Sequence, residues 1–200
     1  DAKISIYDSA LMFGDMVFEM TRSFNKKQFK LDEHIERLLY GIKIYEIPLN
    51  KTAKELKEIC LHTVEVNKPF FNDTDEHRLL INVSRGPLGV YAPIFDYNLE
   101  PTLVVADFPL KWTVSYMGNL YDEGINAVLV NQKAMPAYIM DPKIKNRSRV
   151  FYQMANIEAS KFKGKNNWAL LMGLDGHIAE GSGDNFFIVK NGVVITPEPR

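Results

Sequence analysis

Between Met16 and Phe24 the chain alternates in polarity with Phe18 and Met20 on one face, a period of two that predicts a strand. Asn25-Lys26-Lys27 is a polar turn, and Phe29 to Leu31 is the expected return strand of a hairpin. The period then changes. Ile35, Leu38, Leu39 and Ile42 recur at helical spacing and predict a helix over Glu33 to Tyr45, with Asp32 as its N-cap and Pro48 as its stop; His34, Arg37 and Gly41 share the adjoining face. Thr52-Ala-Lys-Glu55 is a capping box ahead of a second helix expected to bury Leu56, Ile59, Cys60 and Thr63. Strands are predicted over Arg78 to Ser84 and Thr102 to Phe108, the latter so continuously apolar that burial on both faces is expected.

Pro109-Leu-Lys-Trp-Thr113 breaks this pattern. It places a linker over 109–116, after a smaller α/β domain (1–108) and before the first part of a larger domain (117–200). Ile125 to Val130 predicts a strand, followed by a long loop, then a helix from Arg149 to Phe162 with Ser148 as cap and Gly164 as stop. Trp168 to Leu174, His177 to Glu180, Phe186 to Val189 and Val193 to Thr196, separated by turns such as Asp175-Gly176 and Asn191-Gly192, predict a meander joined by tight hairpins.

Composition adds limits rather than detail. With 46% hydrophobic residues and 24 basic against 25 acidic side chains, the chain reads as an ordinary globular protein with no charge excess to attract nucleic acid. No apolar run reaches a membrane span and no signal peptide is visible, so the cytoplasm is the expected compartment. The single cysteine, Cys60, lies on an apolar helical stripe and reads as a core thiol, without metal-ligand spacing.

Candidate chemistry concentrates in the long loop Asp141-Pro-Lys-Ile-Lys145-Asn-Arg-Ser148. Taken alone, Lys143, Lys145, Arg147 and Arg149 also fit a solvated basic loop. Glu180-Gly-Ser-Gly-Asp-Asn185 is by itself a strand end and a turn, and Arg37 is by itself a surface arginine paired with Glu33. Their order changes the reading. Asp8, Gly14-Asp15, Phe18-Glu19, Arg22, His34-Ile-Glu-Arg37-Leu, Arg85-Gly86, Lys145, Glu180-Gly-Ser, Asn185-Phe and Thr196-Pro197 together resemble the class IV pyridoxal-phosphate aminotransferases, the family of branched-chain aminotransferase, D-amino-acid aminotransferase and aminodeoxychorismate lyase.

The resemblance implies an α/β, two-domain fold of the D-amino-acid aminotransferase-like type, apparently truncated at its C-terminus, since the family continues beyond this Thr-Pro. It implies pyridoxal 5'-phosphate as cofactor, no metal, an amino donor and a 2-oxo acid as substrates, and a homodimer. Lys145 then holds the cofactor's aldehyde and moves a proton, Glu180 favours the protonated ring nitrogen, and Arg37 binds the phosphate with its planar fork of donors. His34 is expected to be structural.

Arg22 resembles the branched-chain type and Arg85 the D-amino-acid type as carboxylate ligands, while either also fits a strand-end salt bridge; Phe18 is expected at the substrate. The tyrosine that the branched-chain type carries shortly after its lysine is missing, so Arg149 is the candidate at the ring hydroxyl, and Tyr152 is expected to face elsewhere. The implied activity is branched-chain-like transamination, with a D-amino-acid or amine transaminase, a pyridoxal-dependent lyase, and a truncated non-catalytic chain as the alternatives.

Overall fold

The structure is a computed structural model that describes residues 3–95 and 99–198. It divides into two compact units: Asp1–Tyr116 with Lys143–Ser148, and Met117–Pro142 with Arg149–Arg200. Residues 109–116, expected as a linker, close a strand and open the helix Lys111–Met117.

The first unit opens with helix α1 (Ser9–Phe13) and strand β1 (Met16–Phe24). Asn25 and Lys26 both take positive φ (49° and 63°), the geometry of a two-residue hairpin turn, so the return strand β2 is Lys27–Gln28 and not Phe29 to Leu31. Lys30 (φ 53°) then breaks the strand and occupies the N-cap of α2 (Leu31–Ile44). Asp32 therefore sits inside the first helical turn, where its charge favours the dipole, and is not the cap. The capping box of α3 (Ala53–Asn67) forms between Thr52 and Glu55 as expected. Its buried stripe is Leu56, Cys60 and Val64, leaving Ile59 and Thr63 half-buried.

Strand β3 (His77–Ser84), the short helix α4 (Ala92–Phe95), β4 (Thr102–Pro109) and α5 (Lys111–Met117) complete this unit's elements. The antiparallel sheet runs β2-β1-β3-β4. The apolar β4 is an edge strand, paired among the described residues only with β3 and with Val104 36% exposed, so the expectation of burial on both faces does not hold. Helices α2 and α3 cover one face of the sheet, where Val17, Ile35, Leu38, Leu56, Leu79, Ile81 and Val83 form the core. Cys60 is fully buried in that core, and burial pushes its thiol up to about 12, which leaves it unreactive at neutral pH. Gly41 of α2 has a packing role, since a Cβ there would lie 3.2 Å from Val17 Cγ1 and 3.4 Å from Ile144 Cγ2.

The second unit contains α6 (Leu120–Glu123), β5 (Asn126–Lys133), α7 (Val150–Ala159), β6 (Asn167–Met172) and β7 (Ile178–Gly181). β5 and β6 are parallel, with α7 in the connection between them, and Val130, Ala155, Ala159, Ala169 and Leu171 bury their joint core. β7 returns antiparallel to β6. The expected meander stops there: β8 (Ile188–Lys190) and β9 (Val193–Ile195) form a separate two-stranded ladder. Ser148 does not cap α7, because its hydroxyl donates to the carbonyls of Gly14 and Phe13 at 3.1 and 3.3 Å; Arg149 precedes the helix without a side-chain cap bond.

Candidate active site

Lys145 is placed by strand chemistry. The backbone N–H of Phe18 donates to Lys145 O at 2.8 Å, the N–H of Arg147 donates to Met16 O at 2.9 Å, and Val17 faces Asn146 in an antiparallel bridge. Residues 145–147 thus lie along the edge of β1 opposite β3. Side chains alternate across this pairing. Asn146 turns to the covered side and is buried, whereas Lys145 and Arg147 point to the open face beside Phe18. Lys145 Nζ lies 4.9 Å, and Arg147 Cζ 3.6 Å, from the Phe18 ring centroid. Arg147 also donates to Asn82 Oδ1 at 3.0 Å through Nη2. Ile144, just before the lysine, is 4% exposed and belongs to the first unit's core.

Glu19 is the neighbour of Phe18, so it points to the opposite, helix-covered face, and its side chain is 1% exposed. Arg37 grips this carboxylate, with Nη2 donating to Oε2 at 2.7 Å and Nε to Oε1, and His34 Nδ1 lies 2.8 Å from Oε2. Burial pushes the Glu19 carboxyl up, but the hydrogen bonds from His34 and Arg37 outweigh it and hold the group below its ordinary value. Arg37 pairs with Glu19, not with Glu33. Its side chain is half exposed and Nη1 donates no hydrogen bond among the described residues, which leaves donors for an anion.

The two arginines considered for carboxylate recognition are far apart. Met16 pairs with Ser84 at one end of the β1–β3 ladder and Arg22 with Arg78 at the other. Arg85, just past Ser84, is therefore about 20 Å along the strands from Arg22. Its guanidinium is committed, donating to Asp15 Oδ2 at 2.8 Å, Glu46 O at 2.8 Å and Tyr45 O at 2.6 Å. These contacts tie the end of β3 to the end of α2. Arg22 instead lies on the open face in the row Phe18, Met20, Arg22, at a depression also lined by Phe29, Arg78, Leu110 and Thr113.

In the second unit, Glu180 stands on β7 opposite Leu171 of β6. At the next residue, Gly181, a Cβ would meet the Asp184 carboxylate (Oδ2 at 2.1 Å) and displace that side chain, and the chain folds back there with Gly181 N donating to Asp184 O at 3.0 Å. Tyr152 of α7 turns toward Glu180 and donates its hydroxyl to Oε1, which corrects the expectation that it faces elsewhere. Burial, reinforced by the Glu180 acceptor, pushes the phenol well above its ordinary value and keeps it a donor. Glu180 Oε2 accepts no hydrogen bond among the described residues. Arg149 Cζ lies 5.3 Å from the Tyr152 ring centroid. The spacing from Glu180 could not reveal this contact, because α7 and β7 meet only through the sheet.

The structure therefore places Lys145 beside Phe18, with Arg22 farther along the same sheet face, and joins Glu180 with Tyr152 and Arg149, while Arg37 sits behind β1 and Arg85 lies just past its Met16 end. Within the first unit, an amine on an aromatic floor and an arginine with donors to spare are groups of the kind that hold a carbonyl and a phosphate; within the second, a carboxylate with one open oxygen is of the kind that meets a ring nitrogen.

Comparison with known proteins gives the class of protein to which this fold belongs. Residues 16–200 match the family described as amino-transferase class IV, and the chain belongs to that family. It is 33% identical over 198 residues to a putative branched-chain-amino-acid aminotransferase of Methanocaldococcus jannaschii, covering 98% of this chain and 64% of that protein. Among solved structures it is similar to the Escherichia coli branched-chain amino acid aminotransferase (TM-score 0.80, 25% identity, 98% of this chain and 63% of that one). A second is the branched-chain aminotransferase of the thermophilic archaeon Thermoproteus uzoniensis with norvaline (TM-score 0.77, 27% identity, 98% and 63%). The chain thus spans less than two thirds of the length of these relatives.

Proposed function

We propose that the protein is a pyridoxal-phosphate-dependent aminotransferase of the branched-chain type, moving an amino group between an amino acid and a 2-oxo acid. The observation that carries this reading is the placement of Lys145, whose backbone is clamped to β1 while its amine reaches over Phe18. When bound, pyridoxal phosphate supplies an electron sink that acidifies the substrate's α-proton.

The chain's own groups do the rest. Lys145 would hold the cofactor's carbonyl through Nζ, and the same amine would accept and return the substrate's α-proton. Glu180 offers Oε2 to the ring nitrogen, and its negative charge favours a protonated ring. Tyr152 holds Oε1, so the carboxylate cannot rotate freely. Arg37 meets the phosphate through Nη1 while its other donors stay on Glu19. Phe18 lines the amine's surroundings with apolar surface and limits water there. Because one active site handles donor and acceptor in turn, the kinetics are ping-pong. The reading includes a homodimer acting in the cytoplasm.

The test is chemical. Borohydride reduction in the presence of pyridoxal phosphate, followed by peptide mapping, should place a stable label on Lys145. Label on Lys143 or Lys133, or no label, defeats the assignment.

A further inference from the structure

One side chain ties together the segment that carries Lys145. Asn146 faces Val17 across the bridge to β1, and its side chain, 7% exposed, turns to the covered side of the sheet. There Nδ2 donates to Ile144 O at 3.1 Å, and Oδ1 accepts from the Ser148 N–H at 3.0 Å. The first bond reaches back past Lys145 and the second reaches forward past Arg147. An amide suits this crosslink because it carries a donor and an acceptor at one planar end.

Both ends of the crosslink are anchored by other contacts. Ile144 is packed in the first unit's core. Ser148 donates through its hydroxyl to the carbonyls of Gly14 and Phe13, and Gly14, at φ 68°, makes room for it: a Cβ there would lie 3.0 Å from Ser148 Oγ and 3.2 Å from Ser148 Cα. Between these points the backbone joins β1 through the bonds from Phe18 N–H to Lys145 O and from Arg147 N–H to Met16 O. A single rung of this kind fixes where the segment touches β1 but resists rotation about the contact weakly. The Asn146 crosslink opposes that rotation by setting the direction of the chain before and after the rung. With Asn146 held on the covered side, alternation sends Lys145 to the open side, where Nζ lies 4.9 Å from the Phe18 ring centroid.

We propose that Asn146 is the positioning residue for the Lys145 amine. It acts through the lysine's backbone, from the opposite side of the sheet, as the support that holds a reactive side chain to its geometry. Such support matters because a displacement of about 1 Å at a reacting group costs on the order of a hundredfold in rate. That the amine is a reacting group rests on the transaminase reading; the crosslink, and the order it gives Lys145, belong to the cofactor-free chain.

The experiment takes two readouts on wild type, Asn146→Ala and Asn146→Asp. NMR relaxation of the cofactor-free protein gives the order parameter of the Lys145 amide, expected at about 0.85 in wild type and below about 0.6 in Asn146→Ala. Borohydride reduction with pyridoxal phosphate, well below each protein's melting temperature, gives the ratio of label on Lys145 to label on Lys143. That ratio should fall about tenfold or more in Asn146→Ala. A side chain that serves stability alone would lower the melting temperature and leave the ratio unmoved. Asn146→Asp keeps the acceptor for the Ser148 N–H and loses the donor to Ile144 O, so both readouts should fall between the other two proteins; it is also the folded comparison should the alanine variant unfold. An unchanged order parameter or an unchanged label ratio in Asn146→Ala, or in Asn146→Asp where the alanine variant does not fold, overturns the proposal. A wild type with an ordered Lys145 that takes no label defeats the transaminase reading instead, and the order parameters then decide the positioning role by themselves.

Discussion

Replacing Arg37 with alanine separates what the residue does for the fold from what it does for a cofactor. The Glu19 carboxylate is 1% exposed and accepts from Arg37 Nε, Arg37 Nη2 and His34, so the substitution strips two donors from a buried anion. Fully severing a buried ion pair costs about 3–5 kcal/mol. Here the arginine is half exposed and His34 stays, so water entering the vacated space offsets part of the loss. A cost of about 2 kcal/mol is expected, near the middle of the range for an unsatisfied buried acceptor.

Urea denaturation of the cofactor-free protein measures this without any phosphate contact. In a double-mutant cycle with Glu19→Gln, Arg37→Ala should cost clearly less, because the anion it served is gone. The pH dependence has a definite sign. The folded Glu19 value is depressed, so its contribution is fully present above the ordinary carboxyl value near 4.5 and is lost as pH falls through the folded value. Without Arg37, burial raises that value and acid unfolding should begin at higher pH. A stability loss below about 0.5 kcal/mol, or an unmoved acid midpoint, would refute the buried-pair account.

Other outcomes follow from the same geometry. Arg85→Ala should lower stability by about 1 kcal/mol, because Asp15 and two carbonyls lose their donor but the site is open enough for water to replace part of it, while leaving donor preference unchanged; selective loss of D-alanine use would instead make Arg85 a substrate ligand. Tyr152→Phe removes one charge-assisted hydrogen bond from Glu180 and should slow the half-reaction with L-leucine about tenfold, with the cofactor retained; an unchanged rate on stopped-flow absorbance rejects its positioning role. Glu180→Gln keeps size but not charge and should slow the same step further, with cofactor binding intact.

The sequence reading succeeded where one interaction decided the structure locally. The alternation of Met16 to Phe24 is a strand with those limits, and the Thr52–Glu55 box caps a helix, because both depend on residues a few positions apart. It failed where backbone conformation or distant packing decided. Lys30 in a left-handed conformation moved the start of α2 ahead of Asp32, and β4 is apolar yet lies at a sheet edge. Lys145 and Glu180 are candidates by their place in an ordered motif. Their immediate partners are not, since Phe18 is far upstream of Lys145 and Tyr152 reaches Glu180 only once α7 has packed on the β5–β6 pair.

The hexapeptide Lys143–Ser148 belongs to the first unit although the chain on both sides of it belongs to the second. Its anchors, Ile144 in the core and Asn146 against β1, are contacts between residues more than a hundred positions apart in the chain. Such closures carry a large entropic cost and tend to form late in folding. The Lys145 amine is consequently held in place only after the sheet that carries it is complete, so a chain still being built or partly unfolded lacks an ordered lysine beside Phe18. Under the proposed function, labelling of Lys145 is thereby a readout of finished folding.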